Sequence, residues 1–259
     1  MLKEWHEYSI GLMHSSLDEA AVMQDKFIHL AGLNSTRIDE SILFLEFPPA
    51  GFDSFIVLSK HTSRAEQPSL TVHSTGNFGP ESIMGGKAQS LGISFAPIQT
   101  LLLSNLAKYQ NLNEDIKGFD IVIEATHHGP TLDVPLVFIE MGSTPDIWKS
   151  EAPALAIAWA IKATLSTDLL KFPKLSTAIG IGGPHYPKKF SEAMIDLKYF
   201  VGHVLPKYAA PWVSRSLILS MIERTVPRPS IALVDRKGMP RKSEIRTWLD
   251  EFGIEIVWA

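Results

Sequence analysis

The chain has 259 residues, of which 45% are hydrophobic and 20% are charged, a composition typical of a globular protein that is large enough to bury a substantial core. It contains no cysteine, which excludes disulfides, thiolate metal sites and cysteine nucleophiles, so a bound metal ion would be held by His, Asp or Glu. The formal net charge of −4 is unevenly distributed, because residues 1–130 carry 8 basic and 15 acidic residues whereas residues 131–259 carry 16 and 13.

Short apolar segments alternate with helical segments in the first half of the chain, which is typical of an α/β fold. A strand is predicted over residues 8–15, and a capping-box pattern at Ser16 predicts a helix over residues 16–33. The next apolar segments predict three strands, over residues 41–47, 54–61 and 69–78. A helix follows within residues 89–111, and Pro97 breaks its start.

The second half continues the alternation. Strands are predicted over residues 119–126 and 134–143, joined by a His-His-Gly-Pro turn. The remaining segments predict a helix over 152–167, a strand over 175–183, a helix over 190–203 and a strand, helix and strand over 229–259. We therefore expect an α/β fold with a mixed, mostly parallel sheet flanked by helices. We expect one compact unit over residues 1–259, in which residues from about 62 to 115 are a candidate inserted lobe.

The chain carries no sequence signal for a membrane. Its N-terminus lacks the basic segment and uninterrupted apolar core of a signal peptide. Its longest apolar runs are interrupted by charge and are too short to cross a bilayer. We therefore expect a soluble, cytoplasmic protein.

Polar clusters follow three of the predicted strands. The clusters are “SKHTS”, “THHGP” and “GGPHYP”, and each contains histidine. Ligands bind beyond the carboxyl ends of strands in open α/β sheets. We therefore expect His61, His127, His128 and His185 to lie close together.

The segment “EATHHGPT” places His127 and His128 between Glu124 and Thr131. Neighbouring residues on a strand point to opposite faces, so both rings reach one ion only if the turn bends the chain. A single histidine in a turn is often satisfied by the backbone, but a pair flanked by threonine and an acid favours a functional site. Neutral imidazole is an effective general base near neutral pH. A second acid, Glu140, closes the next apolar run.

A second candidate group lies in “SKHTSRAEQPSLTVHSTGN”. It contains Lys60, His61, His73 and Asn77, whose side chains are able to surround an oxyanion. An ordinary polar loop and a strand histidine that faces solvent explain this segment equally well.

The segment “GIGGPHYPKKF” has the glycines of a turn that cradles phosphate, at Gly182 and Gly183. It lacks the Lys-Ser/Thr ending of a nucleotide-triphosphate loop, and Pro184 removes one backbone donor. A contact to ribose or phosphate is the more consistent interpretation, and its candidates are Gly182, Gly183, His185, Tyr186, Lys188 and Lys189. A tight turn ahead of a helix is the structural alternative.

Basic residues cluster in the second half of the chain. The clusters consist of Lys171, Lys174, Lys188, Lys189, Arg236, Lys237, Arg241, Lys242 and Arg246. A basic flank on an acidic protein is able to bind a phosphate backbone locally. Solvated loops and helix faces explain the same clusters, so the charge permits an RNA partner without demonstrating one.

Six segments together resemble the archaeal and plant type of D-aminoacyl-tRNA deacylase. In chain order they are “SKHTS”, “LTVHSTGNF”, “EATHHGPT”, “FIEMGST”, “GIGGPHYPKKF” and “GHVLPKY”, which span residues 59–208. The resemblance implies hydrolysis of the ester between a D-amino acid and the terminal ribose of tRNA, with broad side-chain tolerance. It also implies dependence on zinc and a core similar to those of peptidyl-tRNA hydrolase and nucleoside phosphorylases. We expect a monomer whose partner is the tRNA acceptor end.

The resemblance also implies roles for individual residues. The expected catalytic residues are Lys60, His61, Glu124, Thr126, His127 and His128. The expected substrate-binding residues are His73, Asn77, Gly129, Pro130, Thr131, Gly182, Gly183, His185, Tyr186, Lys188 and Lys189. The expected zinc ligands are His61, His73, His128 and Glu140.

Two other functions stay open at this stage. A nucleoside phosphorylase or another small-molecule hydrolase would use the same histidines at strand ends and would need no basic flank. An RNA-binding protein without catalytic activity would explain the flank but not the histidines.

Overall fold

The structure, a computed structural model, describes residues 10–14, 43, 45–47, 51, 53–169, 171–239 and 241–259. The helix predicted over residues 16–33 lies outside these residues. In the segment 41–47, where a strand is predicted, the described residues Leu43 and 45–47 belong to no strand. The first predicted strand is confirmed over Ile10–His14.

The described secondary structure follows the predicted alternation. In chain order the strands are β1 (Ile10–His14), β2 (Ser54–Lys60), β3 (Ser69–His73), β4 (Gly76–Asn77), β5 (Ser90–Leu91), β6 (Ser94–Phe95), β7 (Asp120–Ile123), β8 (Leu136–Gly142), β9 (Thr177–Ile181), β10 (Phe200–Leu205), β11 (Thr225–Val226), β12 (Ile231–Val234) and β13 (Glu255–Trp258). The α-helices are α1 (Ala96–Leu112), α2 (Pro145–Trp148), α3 (Glu151–Leu165), α4 (Lys188–Ile195), α5 (Arg215–Glu223) and α6 (Lys242–Glu251). Short 3-10 helices cover Glu114–Ile116 and Lys207–Trp212.

Two larger sheets carry the fold. The first has the order β1–β2–β8–β3–β7, in which β3 and β8 pair antiparallel and the other neighbours pair parallel. The second, β10–β9–β12–β13, is parallel throughout. Helix α1 contacts strands of both sheets as well as α3 and α4, and one hydrophobic core contains residues from both sheets. The predicted α/β class, with mostly parallel strands flanked by helices, is confirmed.

Strand β2 is buried on both faces, which explains its nearly continuous apolar sequence. Ile56 and Leu58 belong to the core that includes α1. Phe55 and Val57 point the other way and join a second cluster with Phe138 of β8. This double burial fixes the positions of β2 and β8 in the core, and both strands adjoin the polar groups described below.

The helix predicted over residues 190–203 is wrong in its second half. Helix α4 ends at Ile195, and residues Phe200–Leu205 form the strand β10. Between them Leu197 has the left-handed φ of 52°, which is incompatible with a continuing helix. The sequence of β10 is apolar apart from His203 and is buried along its whole length, so its pattern does not distinguish a buried strand from a buried helix.

The His-His-Gly-Pro segment does connect the two strands predicted over residues 119–126 and 134–143, but these strands are not neighbours in the sheet. Strands β7 and β8 are separated in the sheet by β3, and residues 124–135 connect them. Strand β3 and helix α1 both come from the candidate lobe at residues 62–115, so this segment contributes to the first sheet and the core. The division of the chain into domains stays a prediction. Across the described ranges, no helix has the length and apolar character needed to span a membrane.

Candidate functional site: a cluster of imidazoles and carboxylates

Several imidazoles and two carboxylates form one polar cluster, which lies on one face of the first sheet at the antiparallel junction of β8 and β3. Its members are His61, His73, Glu124, His127, His128, Glu140 and His185. Glu140, in β8, reaches both ends of the cluster: its Oε2 lies 3.6 Å from His61 Nδ1 and its Oε1 lies 3.7 Å from His73 Nε2. His61 follows β2, whereas His73 ends β3. Because β2 and β3 run in opposite directions, their carboxyl ends lie at opposite ends of the sheet. The expected approach of the four histidines is nevertheless confirmed, since His61, His127 and His185 each lie within 3.8 Å of Glu124. The rings of His127 and His128 are 4.4 Å apart.

Three imidazoles present their Nε2 atoms to one another. The Nδ1 atoms of His73, His127 and His128 contact backbone carbonyl oxygens at 3.2, 2.8 and 2.6 Å respectively. A carbonyl oxygen only accepts hydrogen bonds, so Nδ1 carries the proton of each ring, and in the neutral form of each ring Nε2 keeps a lone pair. The ligand nitrogens of the three rings lie within 4.8 Å of one another. This arrangement is suited to binding a cation.

The turn after β7 brings two adjacent histidines to the same side. His128 has a left-handed φ of 42°, an uncommon conformation for a residue with a side chain. As a result the rings of His127 and His128 lie 4.4 Å apart. Gly129 packs against the loop at residues 85–86 so closely that a Cβ there would lie 2.3 Å from Gly86 N. Pro130 follows, and the bend that the sequence analysis required is present.

Burial and neighbouring charges keep two of these rings neutral. Burial, together with the adjacent imidazoles, holds the pKa of His127 well below its ordinary value. Burial lowers the pKa of His128 to about 4. Burial also disfavours the charged form of His73, but the carboxylates of Glu140 and Glu124 outweigh it and raise the pKa of that ring. Neutral imidazole is the form that binds metal ions.

Glu124 stands at the end of a hydrogen-bonded chain that reaches the surface. The Tyr208 hydroxyl donates to His185 Nδ1 at 2.9 Å, and His185 Nε2 donates to Glu124 Oε2 at 2.8 Å. The same carboxylate oxygen lies 3.8 Å from His127 Nε2. Burial raises the pKa of Glu124, but the bond from His185 and the surrounding imidazoles outweigh it, so the pKa is lowered and the carboxylate is ionised. Burial raises the pKa of Tyr208 to about 12, which keeps its hydroxyl protonated.

His61 approaches the cluster from the opposite side. Its Nδ1 lies 3.7 Å from Glu124 Oε1, and its Nε2 is 3.0 Å from Ser69 Oγ. The ring lies over the backbone of Gly142, where a Cβ would come within 2.4 Å of His61 Nε2. Gly142 is therefore required for this position of the ring. Together with Glu124 and Glu140, His61 forms a second set of ligand atoms that lie within 4.8 Å of one another.

His203 and Thr126 support the cluster from behind. Val204 N–H donates to Thr126 Oγ1 at 3.0 Å, and the Thr126 hydroxyl contacts His203 Nδ1 at 3.2 Å. His203 Nε2 donates to the Gly92 carbonyl at 3.1 Å, and burial lowers the pKa of this ring to about 4. The Thr126 hydroxyl is thus engaged by the β10 backbone and by His203, and its expected catalytic role stays a prediction.

Two of the expected lysines have contacts away from the imidazoles. Lys60 Nζ lies 4.4 Å from the centroid of the Trp148 ring. Lys189 Nζ donates to Asp235 Oδ1 at 3.1 Å and to the Ala259 carbonyl at 2.8 Å. These contacts favour structural roles for both side chains, and their expected roles in catalysis and binding stay predictions.

The loops around the cluster are tied together by Asn77 and Thr131. Asn77 Nδ2 donates to the carbonyl oxygens of Gly85 at 2.9 Å and Lys87 at 3.3 Å. Thr131 Oγ1 accepts from the N–H of Lys87 at 2.9 Å. Both side chains hold the loop at residues 85–87 against the turn that carries the histidines.

The glycine turn after β9 packs against another turn. Gly182 and Gly183 have left-handed φ values of 98° and 81°, and the N–H of Gly182 donates to the Leu205 carbonyl. A Cβ at Gly238 would lie 2.5 Å from Gly183 N. The glycines therefore permit close packing of two backbones, which favours the tight-turn interpretation over a phosphate cradle.

Two cavities flank the cluster. One, of about 310 Å³, is lined by Tyr186, Lys188 and Ser69 among others, and Ser69 bonds to His61. The other, of about 280 Å³, reaches His127 and His128 directly. Substrate therefore has access to the imidazoles from the second cavity.

Tyr208 and Trp212 also lie at the site, although no sequence pattern singled them out. Both lie in the 3-10 helix Lys207–Trp212 and line the second cavity, and their side chains are 50% and 40% exposed. The available signal was two aromatic residues in a proline-flanked segment, “PKYAAPW”, directly after a buried strand.

Comparisons with known proteins identify the family of this chain. The family model described as D-aminoacyl-tRNA deacylase matches residues 49–257. Proteins of that name are 35% identical in Ignicoccus hospitalis, where the match covers 87% of this chain and 89% of the relative, and 31% identical in Methanosarcina acetivorans, where it covers 99% and 84%. A crystal structure described as a conserved protein of unknown function has a TM-score of 0.86 at 20% identity over 97% of this chain and 95% of that one, which supports the fold alone. The family match over most of the length confirms the predicted resemblance, and this chain belongs to the D-aminoacyl-tRNA deacylase family.

Proposed function

We propose that this protein hydrolyses the ester between a D-amino acid and the terminal ribose of tRNA. The observation that carries the proposal is the meeting of neutral imidazoles with the ionised Glu124 beside an open cavity, in a member of this family. We place the reaction in the cytoplasm, because the proposed substrate is charged tRNA. The monomeric state expected from the sequence stays a prediction.

Glu124 is the residue that we assign to water activation. Ester hydrolysis needs a base for the attacking water and a proton for the leaving oxygen. The carboxylate is ionised and is oriented by His185, which lies 2.8 Å away. Glu124 takes up a proton from the attacking water and returns it to the leaving ribose oxygen, while the hydrogen bond that His185 Nε2 donates holds the carboxylate in place.

Zinc is proposed on His73, His127 and His128. Their ligand nitrogens lie within 4.8 Å of one another, and each ring is oriented by a bond from Nδ1 to a backbone carbonyl, as is usual for metal-binding histidine. The buried Nε2 of His73 has no hydrogen-bond partner in the described structure, which further supports a fit. Zinc held by these three residues would supply Lewis-acid chemistry for ester hydrolysis. This trio shares His73 and His128 with the ligand set expected from the sequence.

Metal content tests the ligand assignment without reference to activity. We expect His127→Ala and His128→Ala to lower the zinc retained per chain after dialysis, because each removes one nitrogen of the trio. His61→Ala is the matched control, since His61 belongs to the other group, and it should retain zinc. Zinc loss in His61→Ala with full retention in His127→Ala would instead assign the ion to His61, Glu124 and Glu140.

The activity itself is tested with D-tyrosyl-tRNA and L-tyrosyl-tRNA, each with and without a chelator. Rapid hydrolysis of the D form alone is the expected result. If zinc restores the activity of a sample treated with chelator, the reaction requires the metal. Equal hydrolysis of both forms, or no turnover, would contradict the proposal and direct attention to small nucleosides as substrates.

A further inference from the structure

The cavity that reaches His127 and His128 has an aromatic wall. Tyr208 and Trp212 line it together with Gly79. The Tyr208 hydroxyl is fixed by His185 at 2.9 Å, while half of its side chain remains exposed. The cavity is therefore lined both by two imidazoles of the cluster and by two partly exposed aromatic rings.

The indole of Trp212 is held against the backbone. A Cβ built at Gly79 would lie 3.4 to 3.5 Å from three atoms of the Trp212 ring, so the ring rests on the chain at this glycine with no side chain between them. The side chain is nonetheless 40% exposed. A large aromatic ring that is supported on one side and open on the other is a ready stacking surface.

We propose that this cavity binds the base of the terminal tRNA nucleotide, which stacks on Trp212 and Tyr208. The inference rests on the proposed function. Aromatic side chains bind unpaired bases through their π-faces, and a volume of about 280 Å³ suits one nucleoside better than a stem. A base held there places its ribose next to His127 and Glu124, since Tyr208 is joined to Glu124 through His185.

The charges at the rim agree with an uncharged base inside and a backbone outside. Glu81 lines the cavity and is exposed, and the base itself carries no charge for it to repel. Lys207, exposed and adjacent to Tyr208, is placed to meet the phosphate that precedes the terminal nucleotide.

A thermodynamic cycle tests the contact. Binding of uncharged tRNA is compared with binding of the same tRNA whose terminal nucleotide lacks its base, for the unmodified protein, Trp212→Ala and Trp212→Phe. We expect Trp212→Ala and base removal each to weaken binding about tenfold, with little further loss when both are combined. Trp212→Phe should recover part of the affinity because it keeps a ring.

Trp159→Ala is the matched control, because Trp159 is similarly exposed at 37% but packs on Tyr109 outside the cavity. It should bind both tRNAs like the unmodified protein, and thermal unfolding of every variant establishes that it is folded. Independent losses for Trp212→Ala and base removal would overturn the proposal. The proposal would also be overturned if Trp212→Ala bound tRNA normally but showed an altered preference among amino acids. That result would indicate that the cavity binds the amino-acid side chain instead.

The two proposals fail separately. Turnover of D-aminoacyl-tRNA by the unmodified protein is measured alongside the binding cycle. Turnover without coupling between Trp212 and the base would contradict only the proposed stacking site. Coupling without turnover would contradict only the proposed deacylase activity.

Discussion

Within the described residues, unsatisfied polar atoms concentrate in the cluster. Four buried side-chain atoms among the described residues have no hydrogen-bond partner, and three of these belong to the cluster, namely His61 Nδ1, His73 Nε2 and Glu124 Oε1. A buried polar atom without a partner costs about 1–3 kcal/mol. Three such atoms in one place indicate groups that await a ligand rather than groups that stabilise the fold.

Glu124→Gln tests the residue assigned to water activation. The amide keeps the size of the side chain but cannot accept a proton, so we expect the single-turnover rate to fall by roughly 10²–10⁴-fold. The measurement is hydrolysis of D-tyrosyl-tRNA at saturating enzyme. Glu223→Gln, on the exposed face of α5, should retain the full rate, and a Glu124→Gln rate within a few-fold of the unmodified protein would exclude Glu124 as the base.

His203 predicts a pH dependence of stability. Its pKa is lowered to about 4 in the fold by burial, whereas an unfolded histidine titrates near 6.5. Between these values the unfolded chain binds a proton that the folded protein does not, so the free energy of unfolding falls as the pH drops from about 6.5 to about 4. The full effect of one such ring is roughly 3 kcal/mol.

Urea unfolding of the unmodified protein and of a His203 variant, between pH 4.5 and 7 with chelator present, measures the contribution of His203 to the free energy of unfolding. His203→Gln keeps a donor and an acceptor but does not titrate, so its stability should fall less steeply with decreasing pH than that of the unmodified protein. Parallel curves for the two proteins would show that His203 does not carry the effect.

The elements that position the cluster meet at close-packed glycines. Gly142 ends β8 beneath the ring of His61, and Gly183 meets Gly238 where two turns touch. Side chains cannot be accommodated at such contacts without displacement of the backbone or the ring. The placement of functional groups therefore depends on glycines that have no chemical role.

Gly142→Ala tests this dependence at the end of β8. The added methyl would lie 2.4 Å from His61 Nε2, so we expect His61 to move and the hydrolysis rate to fall at least tenfold. Rates and thermal unfolding are compared with Gly118→Ala, since a Cβ at Gly118 has no heavy atom within 4 Å. An unaffected rate in folded Gly142→Ala would mean that the position of His61 is unimportant for the reaction.

At the scale of the whole molecule, much of the basic charge in the second half is already paired. Lys189 bonds to Asp235, and Arg241 bonds to Glu244. Exposed lysines next to the two cavities are Lys188 and Lys207. The count of basic residues in the sequence therefore overstates the positive surface that is available to RNA.

The double variant Lys188→Gln with Lys207→Gln tests the approach of tRNA. We expect a higher KM for charged tRNA and a shallower dependence of binding on salt, because two phosphate contacts are lost. Lys162→Gln with Lys174→Gln makes the same change in charge at other exposed positions and serves as the control. If the two double variants had equal effects, Lys188 and Lys207 would contribute only through the overall charge of the protein and not through specific phosphate contacts.

The sequence by itself determined the family, the α/β class and most element positions. A continuous apolar run such as that of β2 indicates a buried strand. The spacing of hydrophobic residues identifies the strand, helix and strand at residues 229–259. It also placed His61, His127, His128 and His185 in polar segments that follow strands. These features are local, since each depends on residues that are neighbours in the chain.

The tertiary structure alone decided how these segments meet. Insertion of β3 between β7 and β8 brings His73 against Glu140, and the left-handed φ of His128 turns two adjacent rings to one side. Strand β10 replaced the second half of a predicted helix and placed His203 behind Thr126. Strand order and direction are set by contacts between residues far apart in the chain, which a periodic pattern does not encode.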